Sequence, residues 1–153
     1  MFPSIQSVSR LNQLFRRRRA VLLDDLRRAL DTTSRTTIFR VLKAVGYFTS
    51  YSHAGRYYTL RRIPKFDRWG LWAWQGIGFS SRGTLRATAV FLVEQSPAGL
   101  THQELQQRLG LRVYDTVRSL VADGAITREH VADVYLYLAA DPKRPPQRNL
   151  WVT

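Results

Sequence analysis

Hydrophobic positions along this chain return first at the spacing of helices and then at the spacing of strands, and the whole succession occurs twice. From Ser4, the residues Ile5, Val8, Leu11, Leu14 and Phe15 recur at three and four, which predicts a helix ending at Phe15 or Arg17. Ala20–Leu23 is apolar and as short as a minimal strand. Asp24 and Asp25 follow at a helix start, where negative charge complements the dipole, and Leu26 and Leu30 continue that helix to Asp31. Thr33 or Ser34 caps the next helix. Ile38, Leu42 and Val45, flanked by Phe39 and Val41, form its apolar side; Arg35, Thr36, Thr37, Arg40 and Lys43 form the other. Gly46 ends it, as a glycine with positive φ commonly does. Tyr47–His53 and Arg56–Leu60 are rich in aromatic and hydroxyl residues, and Ala54-Gly55 between them predicts a tight hairpin.

After residue 62 the pattern changes. Ile63-Pro64 breaks the strand, and Leu71–Phe79 alternates in a partly strand-like way around Gly76 and Gly78. Trp69, Trp72 and Trp74 make 63–83 a tryptophan-rich connector whose indoles are expected to pack between the two halves; stacking on single-stranded nucleic acid is the alternative. From Thr84 the helical period returns with Leu85 and Val90–Val93. Ser96–Gly99 is a turn, and Thr101 with Glu104 fits a capping box for a helix through Leu105 and Leu109. Val113, Val117, Leu120 and Val121 predict another helix ending at Gly124. Ala125–Val131 and Val134–Ala139 predict a hairpin around Ala132-Asp133.

The two halves superpose. At an offset of 79, Leu26 and Leu30 fall on Leu105 and Leu109, and Asp25 on Glu104. With one residue lost in the following turn, an offset of 78 places Arg40, Leu42, Gly46, Thr49, Tyr57 and Leu60 on Arg118, Leu120, Gly124, Thr127, Tyr135 and Leu138. In that register Arg35, Thr36, Thr37 and Lys43 become Val113, Tyr114, Asp115 and Val121, while His53 and Arg56 become Val131 and Val134. The matches are mainly core and turn positions. The losses are groups able to donate to phosphates or base edges.

Charge adds direction to this picture. The net charge is +13 and the sequence pI about 11.2, which favours a polyanionic partner. Residues 1–62 hold thirteen Lys/Arg against three Asp, whereas residues 84–141 hold five against seven acids. The absence of cysteine excludes disulfides and thiolate metal sites, and three scattered histidines suggest no zinc constellation. No metal or cofactor is expected. No apolar run is long enough to span a bilayer, and the N-terminus lacks the apolar core of a secretory signal. A cytoplasmic, nucleoid-associated protein is expected, with no membrane partner. Glycine-rich phosphate loops, nucleophile motifs and metal clusters are missing from the sequence, so no enzymatic activity is expected.

The segment TSRTTIFRVLKAVGY, a short helix with a basic and hydroxyl-rich outer side followed at once by an aromatic hairpin, resembles the recognition helix and wing of the winged helix-turn-helix superfamily, as found in bacterial DNA-binding regulators. The resemblance implies an α+β fold, mainly α with small β wings, in two tandem winged helix-turn-helix domains. These are 1–62 (basic, DNA-binding) and 84–141, joined by connector 63–83 and followed by an extended C-terminal tail at 142–153. It further implies that helix 33–45 enters the major groove of double-stranded DNA, with Arg35, Thr36, Thr37 and Arg40 facing bases. Arg16, Arg17, Arg18, Arg19, Ser34, Lys43, Ser50, Tyr51, His53 and Arg56 are then candidates for phosphate or wing contacts. Arg112 and Arg118 are weaker candidates in the second domain, and 84–153 is a candidate for self-association or a protein partner. The function expected is sequence-specific DNA binding in transcriptional regulation. A DNA-binding accessory or initiator protein of a mobile element or replication system, and a tandem winged-helix protein–protein adaptor, are the alternatives.

Overall fold

The computed structural model describes residues 3–140; the tail assigned to 142–153, with Trp151, lies outside the described residues. The fold is mixed α+β with small antiparallel sheets. It divides into two compact units, residues 1–84 and 85–153.

In the first unit the order is α1 (Ile5–Arg17), β1 (Val21–Leu22), α2 (Leu23–Leu30), α3 (Arg35–Val45), β2 (Tyr47–Thr49) and β3 (Tyr57–Leu60). The strands pair in the order β1-β3-β2, with Val21 opposite Tyr58 and Tyr47 opposite Leu60. Leu11, Phe15, Val21, Leu26, Ile38, Leu42 and Leu60 meet in one core beneath this sheet. Burying each such side chain contributes about 1.5–3 kcal/mol. A net backbone hydrogen bond contributes only about 1 kcal/mol, so packing rather than the two-residue ladder holds β1 in place. Asp25 Oδ2 accepts from the Leu22 N–H at 2.9 Å and so satisfies one open donor at the start of α2.

The first unit continues into β4 (Leu71–Trp74) and β5 (Ile77–Ser80), a second hairpin turned at Gln75-Gly76 with both residues left-handed. Ile77 and Phe79 pack on Ala20, with Phe48, Tyr57, Phe66, Trp72 and Trp74 around them. This corrects the expectation for 63–83. Trp72 and Trp74 close a satellite core of the first unit, which extends through Thr84. A stretch of alternating indoles has no intrinsic destination; the apolar patch around Ala20 and Phe48 supplies one.

The second unit has α4 (Leu85–Glu94), β6 (Leu100–Thr101), α5 (His102–Leu109), α6 (Tyr114–Ala122), β7 (Ile126–Val131) and β8 (Val134–Ala139), paired in the order β6-β8-β7. Leu92, Leu100, Leu105, Val117, Leu120, Ile126 and Leu136 are buried in it. The capping box is present: Thr101 Oγ1 accepts from Glu104 N–H at 3.1 Å, and Glu104 Oε1 from Thr101 N–H at 2.9 Å.

Strand register settles how the units correspond. Leu22–Tyr57 in one matches Thr101–Leu136 in the other, Val21–Tyr58 matches Leu100–Tyr137, and Tyr47–Leu60 matches Ile126–Ala139. Each pair differs by 79 on both strands. The offset is therefore 79 from β1 through β3, and the shift to 78 expected after the turn does not occur. Gly46 and Gly124 misled that alignment, because α6 is two residues shorter than α3.

Candidate nucleic-acid interface

α3 begins where the hydroxyl-rich sequence lets it begin. Ser34 is the N-cap, its Oγ accepting from Thr37 N–H at 3.2 Å and from the Thr37 hydroxyl at 3.1 Å. The helix therefore starts at Arg35, and Ser34, expected at a phosphate, has its hydroxyl committed to the helix start. Ile38, Val41 and Leu42 are buried. With 100° per residue, the direction opposite them is occupied by Thr36, Arg40 and Lys43, spaced four and three residues apart, and all three are exposed. Neither Arg40 nor Lys43 makes an ion pair among the described residues. Arg35 lies on one flank with its guanidinium 5.6 Å from the Phe39 ring centre, and Phe39 itself packs edge-on to Tyr58 and beside Tyr47. Thr37 is half-buried on the other flank. The candidate base-facing set thus narrows to a stripe of Thr36, Arg40 and Lys43, with Arg35 at its edge.

The arginine run at 16–19 divides. Arg16 and Arg17 finish α1 and are exposed, as is Arg19, whose backbone carbonyl accepts from the Thr59 hydroxyl at 2.7 Å. Arg18 turns to Asp25, with Nη1 3.2 Å from Oδ1. Arg28, which the sequence did not single out, holds the same oxygen at 2.6 Å. Burial by itself raises the Asp25 pKa, but the Leu22 N–H bond and the Arg18 and Arg28 guanidiniums outweigh it and hold the carboxyl below its ordinary 3.8. One buried carboxylate thus fixes two exposed guanidiniums side by side, with Arg17 lining the same shallow depression. The sequence signal for Arg28 was its i,i+3 spacing from Asp25 on one helix.

The hairpin tip differs from expectation. β2 stops at Thr49, and His53–Gly55 form a single 3₁₀ turn instead of a two-residue hairpin at Ala54-Gly55. Ser50 and Tyr51, expected to offer hydroxyls to a phosphate backbone, are buried, as is Ser52. The Ser50 hydroxyl donates to Ser52 O at 2.7 Å, and the Tyr51 ring lies over Gly78. His53 and Arg56 remain exposed at the tip. Arg61 and Arg62 add exposed cations that the sequence reading left aside: Arg61 lies against Gly46 at the end of α3, and Arg62 donates to Asn12 Oδ1 at 2.8 Å.

At the equivalent place in the second unit, the 79 offset sets Tyr114, Asp115, Ser119 and Ala122 against Arg35, Thr36, Arg40 and Lys43. Val113 and Val131, read as replacements for Arg35 and His53, are buried at 0% and 6% exposure and belong to the core. Arg118 is exposed but corresponds to Phe39, not Arg40, and Arg112 is exposed just before α6. Arg86 on α4 donates to Ser119 Oγ at 2.6 Å and pairs with Asp123 at 2.7 Å, tying that outer side into an internal network.

The first unit holds sixteen Lys/Arg against four Asp, a charge of +12; residues 85–140 hold five against six acids. Among the described residues no group of His, Cys, Asp or Glu is arranged to hold a metal, and no helix is long and apolar enough to cross a membrane. No protein-family model, curated protein or solved structure matches this chain.

Proposed function

We propose that this chain is a double-stranded DNA-binding protein of tandem winged-helix architecture, in which the first unit reads the duplex and the second supports it or meets a partner. The observation that carries this reading is the outer stripe Thr36–Arg40–Lys43 on α3, exposed, free of ion pairs and set in a unit of charge +12. Two units with one strand order and one register support the architecture. In such a fold the second helix of the turn lies in the major groove. Arg40 is placed to grip guanine O6 and N7, the Thr36 methyl to meet a thymine methyl, and Lys43 a phosphate. Arg16, Arg17 and the two guanidiniums that Asp25 holds, Arg18 and Arg28, form a second phosphate-facing surface, and Arg56 a third at the hairpin tip. Regulation of transcription is the role we propose for such sequence-specific binding.

Selection of bound duplexes from a random pool tests the reading, and a shared motif is the expected result. Arg40→Ala should then cost about 1–3 kcal/mol and relax preference at one or two base pairs, whereas Arg17→Ala should weaken all sequences alike. If about six phosphates are neutralised, affinity falls about a thousandfold between roughly 50 and 200 mM salt. Failure to enrich any motif, together with no retention of duplex at low salt, overturns it.

A further inference from the structure

We propose that the β4–β5 hairpin is a brace that holds loop 50–56 in the shape that meets the duplex, which makes Ser52 and Gly78 positioning residues for DNA binding. The proposal rests on the DNA-binding reading above and adds to it a device that only the first unit possesses among the described residues.

The loop is strained; Ser50 Oγ, Gly55 N–H and Arg56 N–H donate to carbonyls within it, and further restraint comes from outside it. His53, Ala54 and Gly55 have φ of 53°, 54° and 72°, three successive left-handed residues of which only the last is glycine. Side chains with a Cβ disfavour that region; two such residues make a tight turn, as at Ala132-Asp133, whereas a run of three exceeds what that turn uses and gains from support by its surroundings. The supporting contacts converge on one residue of β5. Tyr51 N–H donates to Gly78 O at 2.9 Å, and Gly78 N–H donates to Ser52 Oγ at 2.9 Å. Gly78 has both groups available because of the hairpin's register. The turn at Gln75-Gly76 makes Trp74 and Ile77 the first pair, and in an antiparallel ladder the next residue turns its N–H and C=O away from its partner strand.

The fit also explains why residue 78 is glycine. A Cβ there would lie 2.4 Å from Tyr51 Cζ, so the ring sits where any side chain would be. Ser52 Oγ in turn lies 2.7 Å from His53 Nδ1, and the His53 ring packs edge-on to Tyr57 at 5.3 Å. Phe79, wholly buried, and Ile77 fasten the hairpin to Ala20. The chain of contacts thus runs from the core to the tip that exposes His53 and Arg56. The corresponding hairpin of the second unit needs none of this. Its ladder continues regularly to Val131–Val134 and closes on Ala132-Asp133. A loop already held in its bound shape meets a ligand without losing further freedom, so the brace raises the contribution of Arg56 without touching DNA.

The test uses the full chain and a selected duplex. Ser52→Ala removes the hydroxyl that Gly78 N–H reaches, and Gly78→Ala displaces Tyr51; Ser52→Ala is the milder and guards against loss of folding, which tryptophan fluorescence monitors. Each should speed amide exchange at Tyr51 and open the bond after Arg56 to trypsin. Each should also raise Kd about tenfold, and Arg56→Ala should cost less affinity in either background than in the unaltered chain. Unchanged exchange and cleavage in both variants overturn the brace, and a loosened loop with unchanged Kd overturns its part in binding. No duplex binding by the unaltered chain overturns the DNA-binding reading instead, a failure recognisable because Arg40→Ala then changes nothing either.

Discussion

The two units share one order of elements and one strand register, yet they present opposite surfaces. α3 shows Thr36, Arg40 and Lys43 to solvent where α6 shows Asp115, Ser119 and Ala122. The first unit has no acidic residue on its outer helix; the second begins that helix with one and ties its far end to Arg86. What the units keep in common, Leu26 with Leu105, Leu30 with Leu109 and Val41 with Leu120, is buried in both. The lesson is that likeness between the copies measures the scaffold, and function has to be read from the positions where they part.

That contrast can be broken in four ways, beginning with the largest effect. Phe79 is wholly buried in a satellite core of the first unit. Phe79→Ala should cost about 3–5 kcal/mol. Trp69, Trp72 and Trp74 all lie in that unit, so their fluorescence should report its early melting while the second unit's helical circular dichroism persists. A single coincident transition at the original temperature would show that the satellite core contributes little.

Grafting the second unit's outer stripe onto the first, as Thr36→Asp, Arg40→Ser and Lys43→Ala together, comes next. All three sites are exposed, so thermal stability should move little. Affinity for duplex DNA at about 0.1 M salt should fall about 100- to 1,000-fold, from two lost cations and one added carboxylate. Retained affinity in a gel-shift titration would mean that α3 is not the reading helix.

Asp25 gives a smaller and pH-dependent effect. Its folded pKa lies below 3.8, so its contribution is fully present above the unfolded value. The contribution begins to fade as the pH falls through 3.8 and is gone once the folded carboxylate is protonated. Asp25→Asn should therefore cost about 1–2 kcal/mol near neutrality, from the lost charge-assisted bonds to Arg18 and Arg28. The gap between the variant and the original should narrow as the pH falls below 3.8. Denaturant titrations at pH 7 and pH 3 check this; a gap that is equal at both would sink the assignment. The smallest effect is expected from Arg112→Ala and Arg118→Ala, exposed cations in a unit with no net positive charge over 85–140. A change in DNA affinity beyond about twofold would mean that the second unit touches the duplex after all.

Much of the scaffold was legible from spacing. The helix ended by Gly46, the Thr101–Glu104 box and the turn at Ala132-Asp133 are all present, because each depends on neighbours within a few residues. The candidate site was legible as a region and misread in detail. Ser50 and Tyr51 carry hydroxyls in a hairpin and so suggest phosphate contacts, but Tyr51 packs on Gly78, more than twenty residues away, and the Ser50 hydroxyl turns to Ser52 O. Val113 looked like a lost arginine because a glycine pair set the alignment, whereas strand pairing places it in the core.

The sequence by itself determined where most helices and strands begin and end, which side of each is apolar, and that positive charge collects in the leading unit. Those properties follow from local propensity and from composition, neither of which needs a third dimension. Only tertiary structure decided that the tryptophan stretch completes the first unit, that one carboxylate gathers Arg18 and Arg28, and which of two polar hairpins keeps its hydroxyls for itself. Each of those outcomes turns on contacts between residues distant along the chain, and no spacing rule records which distant partner a side chain will find.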